Sequence, residues 1–216
     1  MPDWTENYLR ISKNVAPKYL TEGRFDFNKV IPMPDVYTAK NADAPYGPQH
    51  SGMHDDETVI IYLTDEFSHE LDATAEQLAI SSVKDWDLAK TIERAKALYA
   101  SCKSPEAKAN LIESGRLRVD AVKRYGAPDW YAWACRNWGT KWNACDTEIV
   151  DKGDGTIEIR FDTAWGYPER IVDALAQKET GWSWKFKSAD YSGVYVITPD
   201  HLYPEPVRHG AKGGRR

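Results

Sequence analysis

Lys141 is the residue in this chain whose surroundings most suggest chemistry. It lies in the run Asn137-Trp138-Gly139-Thr140-Lys141-Trp142, between two tryptophans and just after a glycine suited to ending a helix. A cation there can lie over an indole face as a structural clasp, or it can hold an anion from solution. The clasp is the favoured reading, and Lys141, Trp142 and Trp165 form the first candidate binding set. A second set comes from ETVIIYLTDEFSHELDATAE, residues 57–76, which has six acidic residues and neither Lys nor Arg. Asp65, Glu66 and Glu70 within it would repel phosphate and steer a basic protein surface towards the chain. The plainer account of such a stretch is a solvated helix face.

Other candidates are weaker. His50-Ser-Gly-Met-His54 followed by Asp55, Asp56 and Glu57 has the residue types of a metal site. Two histidines four apart hold zinc convincingly only when a helix fixes them on one face, and this stretch reads as a solvated acidic loop. His69, His201 and His209 have no evident partner. Cys102, Cys135 and Cys145 are odd in number and lack a C-x-x-C pair, so they read as reduced thiols. Cys135 is expected to be buried rather than nucleophilic. There is no G-x-S-x-G, P-loop or G-x-G-x-x-G, and no Ser-His-Asp order can be assigned. No catalytic residue, metal ligand or cofactor is therefore assigned, and a binding protein is expected rather than an enzyme.

The elements that would position Lys141 are readable from periodicity. Asp129 can start a helix that carries Trp130, Trp133 and Trp138 on one broad face, and Gly139 ends it. TEIVD, KGDGT and IEIRFD then form a β-hairpin with Asp154-Gly155 in its turn. Pro168 opens a helix with Ile171, Val172 and Leu175 inward. Residues 182–186 alternate strictly as a strand, and 191–198 form another. At the other end, Trp4–Ser12 reads as a short strand. Residues 13–55 are an ordered loop rich in Pro and Gly. A helix is favoured from Asp56, and Leu88, Ile92, Ala95, Tyr99 and Cys102 form a helical stripe over 85–101. Ser104-Pro105 caps a further helix that ends at Gly126, with Gly115 as a candidate break.

The 216 residues, 42% apolar and 28% charged, describe a globular chain with room for a sizeable core. A net charge of −5 argues against a dedicated duplex-DNA binder. No apolar run approaches the roughly 20 residues that span a bilayer, and MPDWTENYLR lacks the pattern of a signal peptide, so neither membrane insertion nor export is expected. Setting residues 13–127 aside leaves strand, helix, strand, strand, helix, strand. That order predicts an α+β fold: a ferredoxin-like split βαβ antiparallel sheet with both helices on one face and a large, mainly helical insertion after the first strand. The expected organisation is a discontinuous domain of 1–12 and 128–207, an ordered loop plus helical insertion over 13–127, and a loose basic tail over 208–216. The tryptophans are expected to be core, with at least three of Trp130, Trp133, Trp138, Trp142 and Trp165 buried together.

Trp4, Asn7 and Leu9, the N-W-G-T-K-W run at 137–142, and F-D-T-A-W at 161–165 followed by Pro168 together resemble the YubB ferredoxin-like family. FDFNKVIPMP at 25–34 is similar to that family's loop after the first strand. Thr5 departs from the cysteine common there, which implies no obligatory metal or redox role at that position. The resemblance implies the fold and an origin in bacteriophages, plasmids and other mobile elements, and it supplies no activity. The expectation it supports is a non-enzymatic accessory protein, cytoplasmic in a bacterial host, that binds a host protein, with inhibition of a defence system as the consequence. A nucleic-acid or nucleotide binder using the sheet and the Trp/Lys141 region is the first alternative, with nucleic acid possible but not favoured as the partner. An enzyme of unrecognised type is the second. The tail cations Arg208, Lys212, Arg215 and Arg216 are read as solubilising.

Overall fold

Alternation in Trp4–Ser12 (β1) is strict: Thr5, Asn7, Leu9 and Ile11 are buried, whereas Trp4, Glu6 and Arg10 are exposed. A strand with one buried and one wet face needs neighbours on both edges and cover on one side, and the rest of its unit supplies them. The computed structural model describes residues 3–38, 55–64, 88–188 and 194–206. The chain divides into two compact units, one of residues 1–32 with 134–216 and one of residues 33–133. The fold is α+β with an antiparallel sheet.

In the first unit, β1 lies between Thr156–Ala164 (β5) and Ser183–Ser188 (β6), antiparallel to both, with Leu9 opposite Ile159 and Trp184. Cys145–Asp151 (β4) pairs with β5, while Tyr195–Thr198 (β7) and His201–Pro206 (β8) extend the sheet beyond β6. The order is therefore β4-β5-β1-β6-β7-β8. The strand at 201–206 is one that the sequence pattern did not predict, and it lies ahead of the tail expected over 208–216. Two prolines are tolerable there because β8 is an edge strand, whose outer N–H groups have no ladder partner to lose.

The covered face of the sheet is aromatic. A two-residue turn at Glu22 and Gly23, both with positive φ, joins Leu20–Thr21 (β2) to Arg24–Phe25 (β3). This small hairpin delivers Phe25 and Phe27 onto Phe161, at centroid separations of 5.0 and 6.0 Å. Phe161 and Trp184 meet edge to face at 5.4 Å. Residues 13–32, read from the sequence as the opening of the insertion, thus lie with the sheet unit. Glu169–Lys178 contributes Ile171, Val172 and Leu175, all fully buried.

The second unit is built on helices Asp55–Thr64 (α1), Leu88–Ser101 (α2) and Pro105–Tyr125 (α3). Residues 57–62 of α1 are buried on every side, as expected of a central helix. Val59 and Tyr62 pack with Val119 and Val122, and Ile60 and Ile61 pack with Ala95. Helix α3 runs unbroken through Gly115, contrary to the predicted break. A Cβ there would fall 2.0 Å from the Thr58 carbonyl oxygen, so the glycine serves the close approach of α1. Ser104 caps α3, its hydroxyl accepting from the Ala107 amide, and Gly126 ends it at φ +74°. Asp129 accepts from the Ala132 amide to start Trp130–Asn137 (α4), the last helix before β4, and pairs with the buried Arg118 at 3.6 Å. The helix from 169 to 178 is α5.

Candidate functional site

The local chemistry of the first unit gathers its motif residues around Asn7. The Asn7 amide nitrogen donates to the Thr5 carbonyl and to the Thr163 hydroxyl, both at 2.8 Å. Its oxygen accepts from the Trp184 indole at 3.1 Å, so a fully buried side chain is satisfied from three directions. Thr163 passes its own proton to the Gly166 carbonyl at 2.7 Å, and Thr140 donates to the Ala164 carbonyl at 3.0 Å. Trp165 donates its amide to the Asp3 carbonyl at 2.7 Å. Asn143 fixes the following segment: its oxygen accepts from the Phe27 amide and its nitrogen donates to Asp26, both at 2.8 Å. Buried polar bonds of this kind hold one sheet corner in a single geometry.

On that frame stand Trp4, Lys141, Trp142 and Trp165. The Lys141 ammonium lies 3.6 Å from the Trp142 ring centroid and 4.3 Å from that of Trp165, so one cation is clasped by two indoles. Trp142 stacks in turn on Trp4, with centroids 5.8 Å apart and planes 28° apart. Lys141 and Trp142 are half-buried, while Trp4 and Trp165 are 41% and 47% exposed. Trp165 also has a φ of +69°, a region that costs a bulky residue conformational energy.

Beside Trp4 on the same face of the sheet are Glu6 and, opposite it, Asp162. Asp162 is paired across to Cys145, and Asp146 follows in a bulge at φ +49°. Burial pushes the Asp162 carboxyl up, and the charges of Asp146 and Glu6 add to it. Burial and the charges of Asp146 and Asp162 push the Cys145 thiol up, which disfavours its thiolate. Glu6 is paired with Lys187 at 3.6 Å, whereas Asp146 and Asp162 have no ion pair among the described residues.

The structure brings Lys141, Trp142 and Trp165 together and adds Trp4, which the sequence places in a strand and in the family motif but not in the binding set. Counting back by twos from Arg10 puts Trp4 on the polar side, a signal that was there to be used. Of the five tryptophans expected in one core, only Trp133 and Trp138 are buried. Trp133 is tilted against Tyr37 in the helical unit, Trp138 meets Phe27, and Trp142 and Trp165 instead border solvent with Lys141 between them. Asp65, Glu66 and Glu70, His50, His54, His69 and His209, and the tail cations lie outside the described residues. Asp55 and Asp56 open α1, and Glu57, expected in a solvated loop, is buried and takes a 2.6 Å bond from Arg94. His201 lies on β8 near Tyr203, and none of the three cysteines, all half-buried and Cys135 among them, is in a disulfide. Among the described residues no three His, Cys, Asp or Glu groups could share a metal ion, and no helix is long and apolar enough to cross a membrane.

Comparison with family models gives no match, and neither does comparison with curated proteins. Among solved structures, the crystal structure of a protein api92 from Yersinia pseudotuberculosis, of the DUF1281 family, covers 98% of this chain and 100% of that one at 10% identity, with a TM-score of 0.41. A likeness so distant carries no argument about this chain.

Proposed function

We propose that this chain is a non-enzymatic binding protein that meets a macromolecular partner at the corner formed by Trp4, Lys141, Trp142 and Trp165. The observation that carries this reading is Trp165. It leaves about half its surface in water while holding a left-handed backbone that a bulky side chain adopts at a cost. Exposed tryptophans on a rigid support are the residues that dominate binding energy at protein interfaces. The strand order supports reading the sheet as a ferredoxin-like split βαβ plan extended by β7 and β8, with the helical unit as an insertion. The resemblance to the YubB family supports a bacteriophage or plasmid origin and hence a host protein in the bacterial cytoplasm, a component of a defence system among them. In this reading the acidic stretch with Asp65, Glu66 and Glu70 speeds encounter with a basic partner.

A nucleic-acid reading has the exposed indoles in its favour, since bases stack on them. Against it, two cations on the open face of the sheet are spent locally, Arg160 on Glu158 and Glu148 and Lys187 on Glu6, which leaves Lys185 as an exposed cation there with no ion pair among the described residues. Capture from bacterial lysate on the tagged chain, with Trp4→Ala and Trp165→Ala alongside and a mobility-shift assay on the same proteins, tests both. A partner retained by the native chain and lost from both variants is expected. Undiminished capture would overturn the reading, and an oligonucleotide shift abolished by the same substitutions would favour nucleic acid.

A further inference from the structure

The charge around the indoles narrows the partner. The Lys141 ammonium lies over two of the rings, while Asp162, on the face of Trp4, and Asp146, close enough to Asp162 to act on its carboxyl, have no ion pair among the described residues. Trp4, Glu6 and Asp162 share one face of the sheet, so the aromatic row is bordered by an acidic row in which only Glu6 is neutralised. A polyanion would meet repulsion from that row, while a side chain that is cationic and flat or greasy would gain on both counts.

We infer that this corner docks an arginine- or lysine-bearing segment of a partner protein, with the cation over the open faces of Trp4 and Trp165 and its charge met by Asp146 and Asp162. Arginine suits it best, because the guanidinium plane stacks on an indole and still offers its edge to carboxylates. Lys141 acts here as the spacer that keeps Trp142 and Trp165 apart. The inference rests on the proposed function and adds to it the sign of the partner's charge.

The test titrates the full chain with acetyl-RGRGR-amide, its glutamate counterpart acetyl-EGEGE-amide and a thymidine oligonucleotide, each by calorimetry at low and high salt. The arginine peptide should bind, and more weakly at high salt. Asp146→Asn and Asp162→Asn should each weaken it about 3- to 5-fold, as exposed charge pairs do. Trp165→Ala should weaken it about 30-fold. Thermal midpoints establish that each variant is folded, and the single Asn variants serve if the double one is not. Preference for the glutamate peptide or the oligonucleotide, equal binding after both Asn substitutions, or no binding of any probe would overturn the inference. If Trp165→Ala still abolishes partner capture, the proposed function survives that failure; if it leaves capture intact, both fall.

Discussion

Trp184 and Trp4 lie on adjacent strands of one sheet and have opposite surroundings. Trp184 is fully buried, touches Phe25 and Phe161 edge to face, and has its indole N–H satisfied by Asn7. Trp4 faces water with Trp142 stacked on it, and the same cluster continues through Lys141 to the exposed Trp165. The difference is one of parity. Trp184 lies opposite Leu9 on the covered face, whereas Trp4 falls on the side of Glu6 and Arg10. A tryptophan's identity therefore says little about whether it holds the fold or meets a partner; its face does.

Substitutions can break that contrast at several strengths. Trp184→Ala should have the largest effect, costing about 3–5 kcal/mol in chemical denaturation, since it opens a large cavity and strands the Asn7 oxygen. Gly115→Ala should follow. It gains about 1 kcal/mol of helix propensity but drives a Cβ into the Thr58 carbonyl, which is backbone and cannot swing aside. A net loss of about 1–3 kcal/mol is expected, read from the denaturation midpoint. Asn7→Ala should cost about 1–3 kcal/mol by leaving the Trp184 indole N–H without its acceptor.

A smaller effect concerns pH. Burial raises the Asp26 carboxyl, but hydrogen bonds from Asn143, Thr21 and Asn28 outweigh it and hold the group below its ordinary range. A carboxyl lowered in the folded state stabilises fully above its unfolded value, about 3.9, and that stability is lost as pH falls through the lower folded value. The melting temperature of Asp26→Asn should therefore fall less steeply than that of the native chain in this acid range. Equal slopes would show that Asp26 does not anchor Asn143.

Much of the fold was legible because its signals are local. Alternation marked 4–12 and 182–186, the Asp154-Gly155 turn marked the hairpin, and Ser104-Pro105 with Gly126 bounded α3. The interpretation of Gly115 failed because a close helix approach is a tertiary fact, and nothing in its neighbours announces Thr58. The strand at 201–206 was missed because its prolines look like loop until the edge position is known. Lys141 and Trp142 were legible as a clasp from adjacency, and Trp165 joined them as a motif residue. Burial was legible for Trp133 and Trp138 but not for Trp130, Trp142 and Trp165, because neither helical spacing nor aromatic character says which part of a large ring the tertiary fold covers. Trp130 shows the limit of spacing as a guide: its indole nitrogen is buried with no acceptor among the described residues, although the residue as a whole is only half-covered.

In the proposed function Trp165 serves contact rather than folding, and Trp165→Gly tests that most directly. Glycine adopts the +69° φ without strain, so the variant removes the ring without adding a backbone penalty. The measurement is partner retention on the immobilised variant, with its thermal midpoint taken from the same sample. Retained partner should fall at least about tenfold, with a midpoint equal to or above that of the native chain. Full retention, or a midpoint drop as large as that of Trp184→Ala, would contradict it.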